Sequence, residues 1–171
     1  MKNRRIRKPV LLVTAGFASC LLAGCMPDWN KPLPVATANM EPVDASSVRG
    51  RLTFGEENGV ARIFVDLTGL TGEHGFHIHQ ESDCRAALAN LRTGHLNPEG
   101  KPHGQHLGDL PNIRSDVYGT MRGPIYLRAP QLEPANIVGH AIVITANYDD
   151  YKTQPDGHSG QAVACGVIQK L

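Results

Sequence analysis

Across residues 81–110, for about thirty residues, the chain drops the alternating apolar pattern that surrounds it, and this stretch limits the folds open to it. Connections inside compact domains are usually a few residues long, so a strandless segment of this length must be pinned in place or functional. On either side the pattern is that of short strands: residues 48–54, 60–67, 75–79, 120–127 and 141–148 are apolar or alternating. Glu57-Asn58-Gly59 separates the first two runs and supplies a residue that tolerates positive φ, as a hairpin needs. Within the long segment, residues 85–91 predict a short helical turn. Many short strands with glycine-rich turns predict an all-β fold, an antiparallel sandwich or Greek-key barrel. No internal repeat, coiled coil or low-complexity block competes with that reading.

The start of the chain obeys a different logic. Lys2, Arg4, Arg5, Arg7 and Lys8 precede an apolar stretch at 10–23 that is short for a membrane span, and Leu22-Ala23-Gly24-Cys25 resembles the lipobox of bacterial lipoproteins. The expected organisation is a signal peptide at 1–24, a lipidated Cys25 opening a proline-bearing tether at 25–35, and one domain at 36–171. An ordinary secretory signal with a chance cysteine, or an uncleaved anchor, are the alternatives. The domain is then expected in the bacterial cell envelope, on the periplasmic side, held to a membrane by its N-terminal lipid. With Cys20 assigned to the signal and Cys25 to its lipidation site, Cys84 and Cys165 remain as an even pair in an oxidising compartment, where they are expected to be bonded. A formal charge of +1 with 19% charged residues argues against a nucleic-acid partner and carries no signal for oligomeric state.

Six of the eight histidines fall between His74 and His106. His77 and His79 stand two apart, and strand geometry sends both to one face while Ile78 points to the other. Alone, such a pair is better read as solvated or hydrogen-bonded than as metal-binding. His95, His103, His106 and Asp109 change the balance, because three imidazoles and a carboxylate are the ligand number and type of a closed tetrahedral zinc site.

Four segments then occur in order: Gly75-Phe76-His77-Ile78-His79, Gly94-His95-Leu96-Asn97-Pro98, His106-Leu107-Gly108-Asp109-Leu110 and Ala164-Cys165-Gly166-Val167-Ile168. Together they resemble the copper-zinc superoxide dismutase family, in its bacterial branch. The resemblance implies an eight-stranded Greek-key barrel with two long loops over the metals. It makes His77, His79 and His95 copper ligands, and makes His95, with His103, His106 and Asp109, a zinc ligand as well. It implies a disulfide between Cys84 and Cys165, and a linking role for Asp149 between copper and zinc ligands; a solvent-facing acid beside Asp150 is the alternative for that residue. His74 matches a structural histidine, whereas His140 and His158 fall outside the metal positions.

The chain departs from the family at three places. Thr145 stands where the fourth copper-binding histidine belongs, and a neutral hydroxyl is a poor substitute for imidazole. Ala162 stands where an arginine draws in superoxide, with no arginine near it in sequence. Only two residues separate His103 from His106. The implied partners are superoxide or metal ions, with zinc as the expected cofactor and copper in a weakened site. Three functions follow: weak dismutation of superoxide to dioxygen and hydrogen peroxide, a non-catalytic copper or zinc buffer, carrier or sensor, or a metal-stapled scaffold.

Overall fold

The structure is a computed structural model that describes residues 35–57, 60–127 and 133–171. The segment expected to be a signal peptide, Cys25, nearly all of the expected tether and the turn expected at Asn58-Gly59 lie outside the described residues. In chain order the elements are β1 (Ala36–Pro42), β2 (Arg49–Glu57), β3 (Val60–Thr68), β4 (Glu73–His74), β5 (Phe76–Ile78), α1 (Cys84–Ala89), β6 (Ile113–Arg114), β7 (Thr120–Leu127), α2 (Pro134–Ile137), β8 (Ala141–Thr145), β9 (Ala162–Val167) and β10 (Gln169–Lys170).

Eight strands form one curled antiparallel sheet in the order β5-β8-β9-β1-β2-β3-β7, with β10 also on β1. The crossovers from β3 to β5 and from β7 to β8 give the Greek-key connectivity, and the all-β expectation holds. β4 runs into the edge strand β5, β6 leads toward the opposite edge strand β7, and the two short strands pair, so this ribbon ties the two edges of the sheet to each other.

Alternation explains the curl. In β3, Ile63, Val65 and Leu67 are buried while their neighbours are not, and in β1 Ala36, Ala38 and Met40 turn inward. These side chains pack with Leu52, Phe54, Phe76, Ile78, Ile142 and Ile144 into the main core, each large one contributing roughly 1.5–3 kcal/mol on burial. β8 is buried on both faces: Ile142 and Ile144 join that core, whereas Ala141 and Val143 meet Ala162, Cys165 and Ala87 of α1. The apolar run expected to reach Tyr148 ends at Thr145, where a register irregularity with β9 begins.

Main-chain bonds pin the long segment. Ile78 donates to the Gly108 carbonyl at 2.9 Å and accepts from Leu96 N–H at 2.8 Å, while Leu110 N–H donates to Phe76 O at 3.1 Å. Two stretches of the loop therefore lie strapped along β5. The helical turn appears as α1, with Asp83 capping it by accepting the Ala86 N–H at 2.8 Å. Cys84 at the start of α1 is bonded to Cys165 on β9 across 81 residues of sequence, which corresponds to about 4–5 kcal/mol in the chain-entropy model. Replacing both cysteines with alanine is expected to cost about 2–5 kcal/mol in denaturant unfolding, the usual range for a native disulfide; an unchanged midpoint would mean that the straps alone hold the loop.

Candidate metal centre

β5 places His77 on the side of the sheet away from Phe76 and Ile78, opposite Val143 in the register with β8. The straps then bring the loop ligands to it: isolated bridges pair His77 with Asp109 and His79 with His95. His77, His79, His95 and His103 are all buried.

His95, His103, His106 and Asp109 converge as expected. Asp109 Oδ1 lies 3.0 Å from His95 Nδ1, 3.3 Å from His103 Nδ1 and 3.2 Å from His106 Nδ1. A tetrahedral zinc with bonds of about 2.0–2.1 Å separates its ligand atoms by about 3.3–3.4 Å, so these four residues fit one ion. The two-residue gap is no obstacle, since the His103 and His106 rings stand edge to face at 5.4 Å. Asp109 Oδ2 is occupied separately, accepting the Gly104 and His106 backbone N–H groups at 2.7 and 3.0 Å. Burial pushes the Asp109 carboxyl up, but the hydrogen bond from His95, the nearby His103 and His106 and the backbone donor outweigh it, and its pKa is lowered.

Asp149 links this cluster to β5, and the reading of it as a solvent-facing acid does not fit its 1% exposure. Its Oδ2 accepts from His77 Nε2 and its Oδ1 from His103 Nε2, both at 2.8 Å. Burial raises its pKa, yet the bonds from His77, His103 and the Tyr151 backbone bring it down to about 2, so it is an ionised, acceptor-only carboxylate at neutral pH. Both histidines must then carry their proton on Nε2. That leaves the lone pair of each Nδ1 free, and neither Nδ1 has a hydrogen-bond partner although both are buried.

Several supporting residues were missed in the sequence. Asn112 exchanges two hydrogen bonds with the Asp149 backbone, both 2.8 Å. Gln154 brackets His103, accepting its N–H at 2.9 Å and donating to its carbonyl at 3.2 Å. Gly157, at φ 64°, presses against Asp149; a Cβ there would collide with Oδ1 and come within 2.6 Å of His103 Nε2. These polar loop residues follow no periodic pattern that would have singled them out.

The remaining histidines are arranged differently. His77 and His95 are stacked at 4.1 Å between centroids, and His79 meets His95 edge-on at 5.3 Å. Among the described residues, His77, His79 and His95 are not drawn together as closely as the Asp109 cluster. They do offer buried nitrogens without hydrogen-bond partners, His77 Nδ1 and both nitrogens of His79, which suits a cation bound by imidazole. Thr145 is buried, and its hydroxyl is turned to the Asn147 carbonyl at 3.3 Å. Ala162 is buried beside Val143 and Cys165. Arg92, distant in sequence from Ala162, lines a cleft of about 910 Å³ with Thr93, Asn147, Gly160 and Gln161, and its guanidinium is paired with Asp156 at 2.9 Å. His74 is structural, accepting the Thr71 N–H at 3.0 Å and donating to Thr145 O at 2.8 Å. His140 bonds carbonyls of residues 79 and 80 outside the cluster.

A Greek-key sheet whose two long loops gather histidines and aspartates beside β5 defines an all-β metal-binding protein. Residues 48–168 match the family described as copper/zinc superoxide dismutase (SODC), and the chain belongs to that family. It is 35% identical to the superoxide dismutase [Cu-Zn] 2 of Aquifex aeolicus, over 71% of this chain and 80% of the relative. It is 33% identical to the superoxide dismutase [Cu-Zn] of Neisseria meningitidis, over 93% and 97%. A solved structure described as the clock protein EA4 superposes with a TM-score of 0.67 at 32% identity, over 81% of this chain and 96% of that one. The family uses copper and zinc.

Buried histidines make the metal-free protein acid-sensitive. Burial, reinforced by neighbouring His95 and His77, holds His79 down at about 3, and burial lowers His77 despite its bond to Asp149. In the unfolded chain both take a proton near pH 6.5, so between there and the folded values the unfolded state binds more protons and stability falls as pH falls, by up to about 1.4 kcal/mol per pH unit for each. Asp149 adds to this at lower pH, its contribution being present above about 4 and lost as pH drops through about 2. Unfolding of chelator-treated protein at a series of pH values is expected to show a plateau above pH 7 and a steep decline below 6.5; constant stability down to pH 4 would contradict the assignment of neutral buried imidazoles.

Proposed function

We propose that the chain is a lipid-anchored, envelope-exposed member of its family that holds zinc through His95, His103, His106 and Asp109, and dismutates superoxide only weakly. The observation that carries this reading is Thr145: at the position of the fourth copper-binding histidine, its hydroxyl is committed to the Asn147 carbonyl. Copper bound beside His77, His79 and His95 would supply one-electron chemistry, taking an electron from one superoxide and giving it to another.

The protein's own residues set what such an ion meets. Asp149 keeps the His77 proton on Nε2 and thereby presents Nδ1. His95 turns Nδ1 toward Asp109, which leaves Nε2 for a second ion and a proton. Ala162 offers no charge to orient an anion, and Arg92 is neutralised by Asp156. Substrate capture and the ligand field are therefore weakened by separate causes. A non-catalytic copper- or zinc-holding lipoprotein, acting as buffer, carrier, sensor or scaffold, is the alternative, and the same hydroxyl favours it.

Metal analysis paired with superoxide consumption after copper loading separates the two. Thr145→His is expected to raise copper affinity, and Ala162→Arg to raise superoxide capture about tenfold or more with a larger gain at low salt. The double replacement should exceed either single one. Diffusion-limited consumption by the unaltered protein, with no gain from either change, would overturn the proposal. Zinc bound without any consumption in the double variant would favour the non-catalytic reading.

The anchor is tested separately. Cys25→Ser is expected to move the protein from the membrane fraction to the soluble fraction, and recovery of the unaltered protein solely in soluble, unmodified form would rule out lipidation.

A further inference from the structure

His79 is fully buried, and neither of its ring nitrogens has a hydrogen-bond partner. A neutral imidazole carries one N–H and one lone pair, so a bare ring of this kind has its tautomer set by whichever acceptor stands nearest. That acceptor is a carboxylate two residues along the chain. Glu81 Oε2 lies 3.6 Å from His79 Nδ1 and is itself buried without a hydrogen-bond partner.

The surroundings hold this carboxylate where it is. Asn90 Nδ2 donates to the other oxygen, Oε1, at 2.9 Å. The Glu81 backbone carbonyl accepts from Ala141 N–H at 2.7 Å, which fixes its stem to β8. Gly94 leaves the space that the carboxylate fills: a Cβ at that position would lie 2.7 Å from Oε2 and 2.9 Å from Oε1. One oxygen is thus clamped by an amide, and the other is left facing an imidazole with nothing else to accept its proton.

We propose that Glu81 is the positioning residue of His79, accepting Nδ1–H through Oε2 and so presenting Nε2 to a metal ion. The inference rests on reading the histidine cluster as a metal centre. Closing the contact from 3.6 Å to a charge-assisted bond of about 2.8 Å requires a shift of under 1 Å. Asp149 already does the equivalent for His77, so two of the three imidazoles remaining at the depleted copper position would each have an anionic partner behind the ring. A carboxylate there makes the imidazole a better donor and adds negative charge near the ion, which favours a divalent cation over a monovalent one.

The test uses the full chain, zinc-loaded and labelled with 15N at histidine. Long-range 15N–1H spectra report which His79 nitrogen carries the proton, whether or not a second ion binds. The expected result is Nδ1–H in the unaltered protein and its loss in Glu81→Gln. Asn90 claims the glutamine oxygen and leaves the side-chain NH2 facing Nδ1, so the tautomer is expected to invert. Glu81→Leu, which has no acceptor, should also abolish the Nδ1–H preference. In parallel, titration with Zn2+ and with Cu2+ beyond the first equivalent is expected to show Glu81→Gln weakening second-ion binding by about 10–100-fold, with first-equivalent zinc affinity unchanged. His79 protonated on Nε2 in the unaltered protein, or an Nδ1–H tautomer that survives Glu81→Gln, overturns the proposal. Absence of a second bound ion in the unaltered protein, with the tautomer behaving as expected, would sink the metal reading of that position and leave the Glu81–His79 contact standing.

Discussion

Asp149 has two oxygens and spends them on two histidines that belong to different parts of the chain, His77 of β5 and His103 of the long loop. Because an ionised carboxylate can only accept, the contact dictates where each proton sits and hence which nitrogen each ring can offer to a metal. The surrounding construction serves this one group. Asn112 grips its backbone, the Tyr151 N–H donates to it at 2.7 Å, and Gly157 stays out of its way. Burial works against the charge and the donors overcome it, which is why the carboxylate remains ionised inside the protein. The second loop thus reaches the first through chemistry as well as through packing.

The parts of this arrangement that were legible in the sequence are those that follow a period or a ligand stereotype. Alternation in 60–67 and 120–127 marked β3 and β7 because one face of each strand is more deeply buried than the other. His95, His103, His106 and Asp109 were legible because their types match what zinc takes, and the pairing of Cys84 with Cys165 because few cysteines remained outside the expected leader. β1 and β9 were harder to see, since the buried positions Ala36, Ala38, Ala162 and Ala164 carry side chains too small to make a strong hydrophobic signal. Glu81, Asn112 and Gln154 were invisible for a different reason. Their roles depend on contacts across the loops, and a polar residue in a loop looks the same in sequence whether it clamps a ligand or faces water.

Thr145 and Ala162, the residues that the family resemblance marks as departures, are both accommodated by the fold. Thr145 satisfies its hydroxyl locally and completes the buried run of β8, and Ala162 packs in a small apolar cluster with Val143 and Cys165. In the proposed reading the copper position is weakened while the barrel stays intact, because the chemistry of the site and the stability of the scaffold draw on different atoms.

That separation has its origin in the straps along β5. The loop is held to the strand by Ile78, Leu96, Gly108 and Leu110 through amides and carbonyls, groups that every residue type except proline supplies alike. The positions from which histidines project are thus written into the main chain, not into the histidines. A centre built in this way behaves as a socket with a fixed mounting: its occupant and its reactivity can be exchanged one side chain at a time, while the frame that aims those side chains takes no part in the exchange.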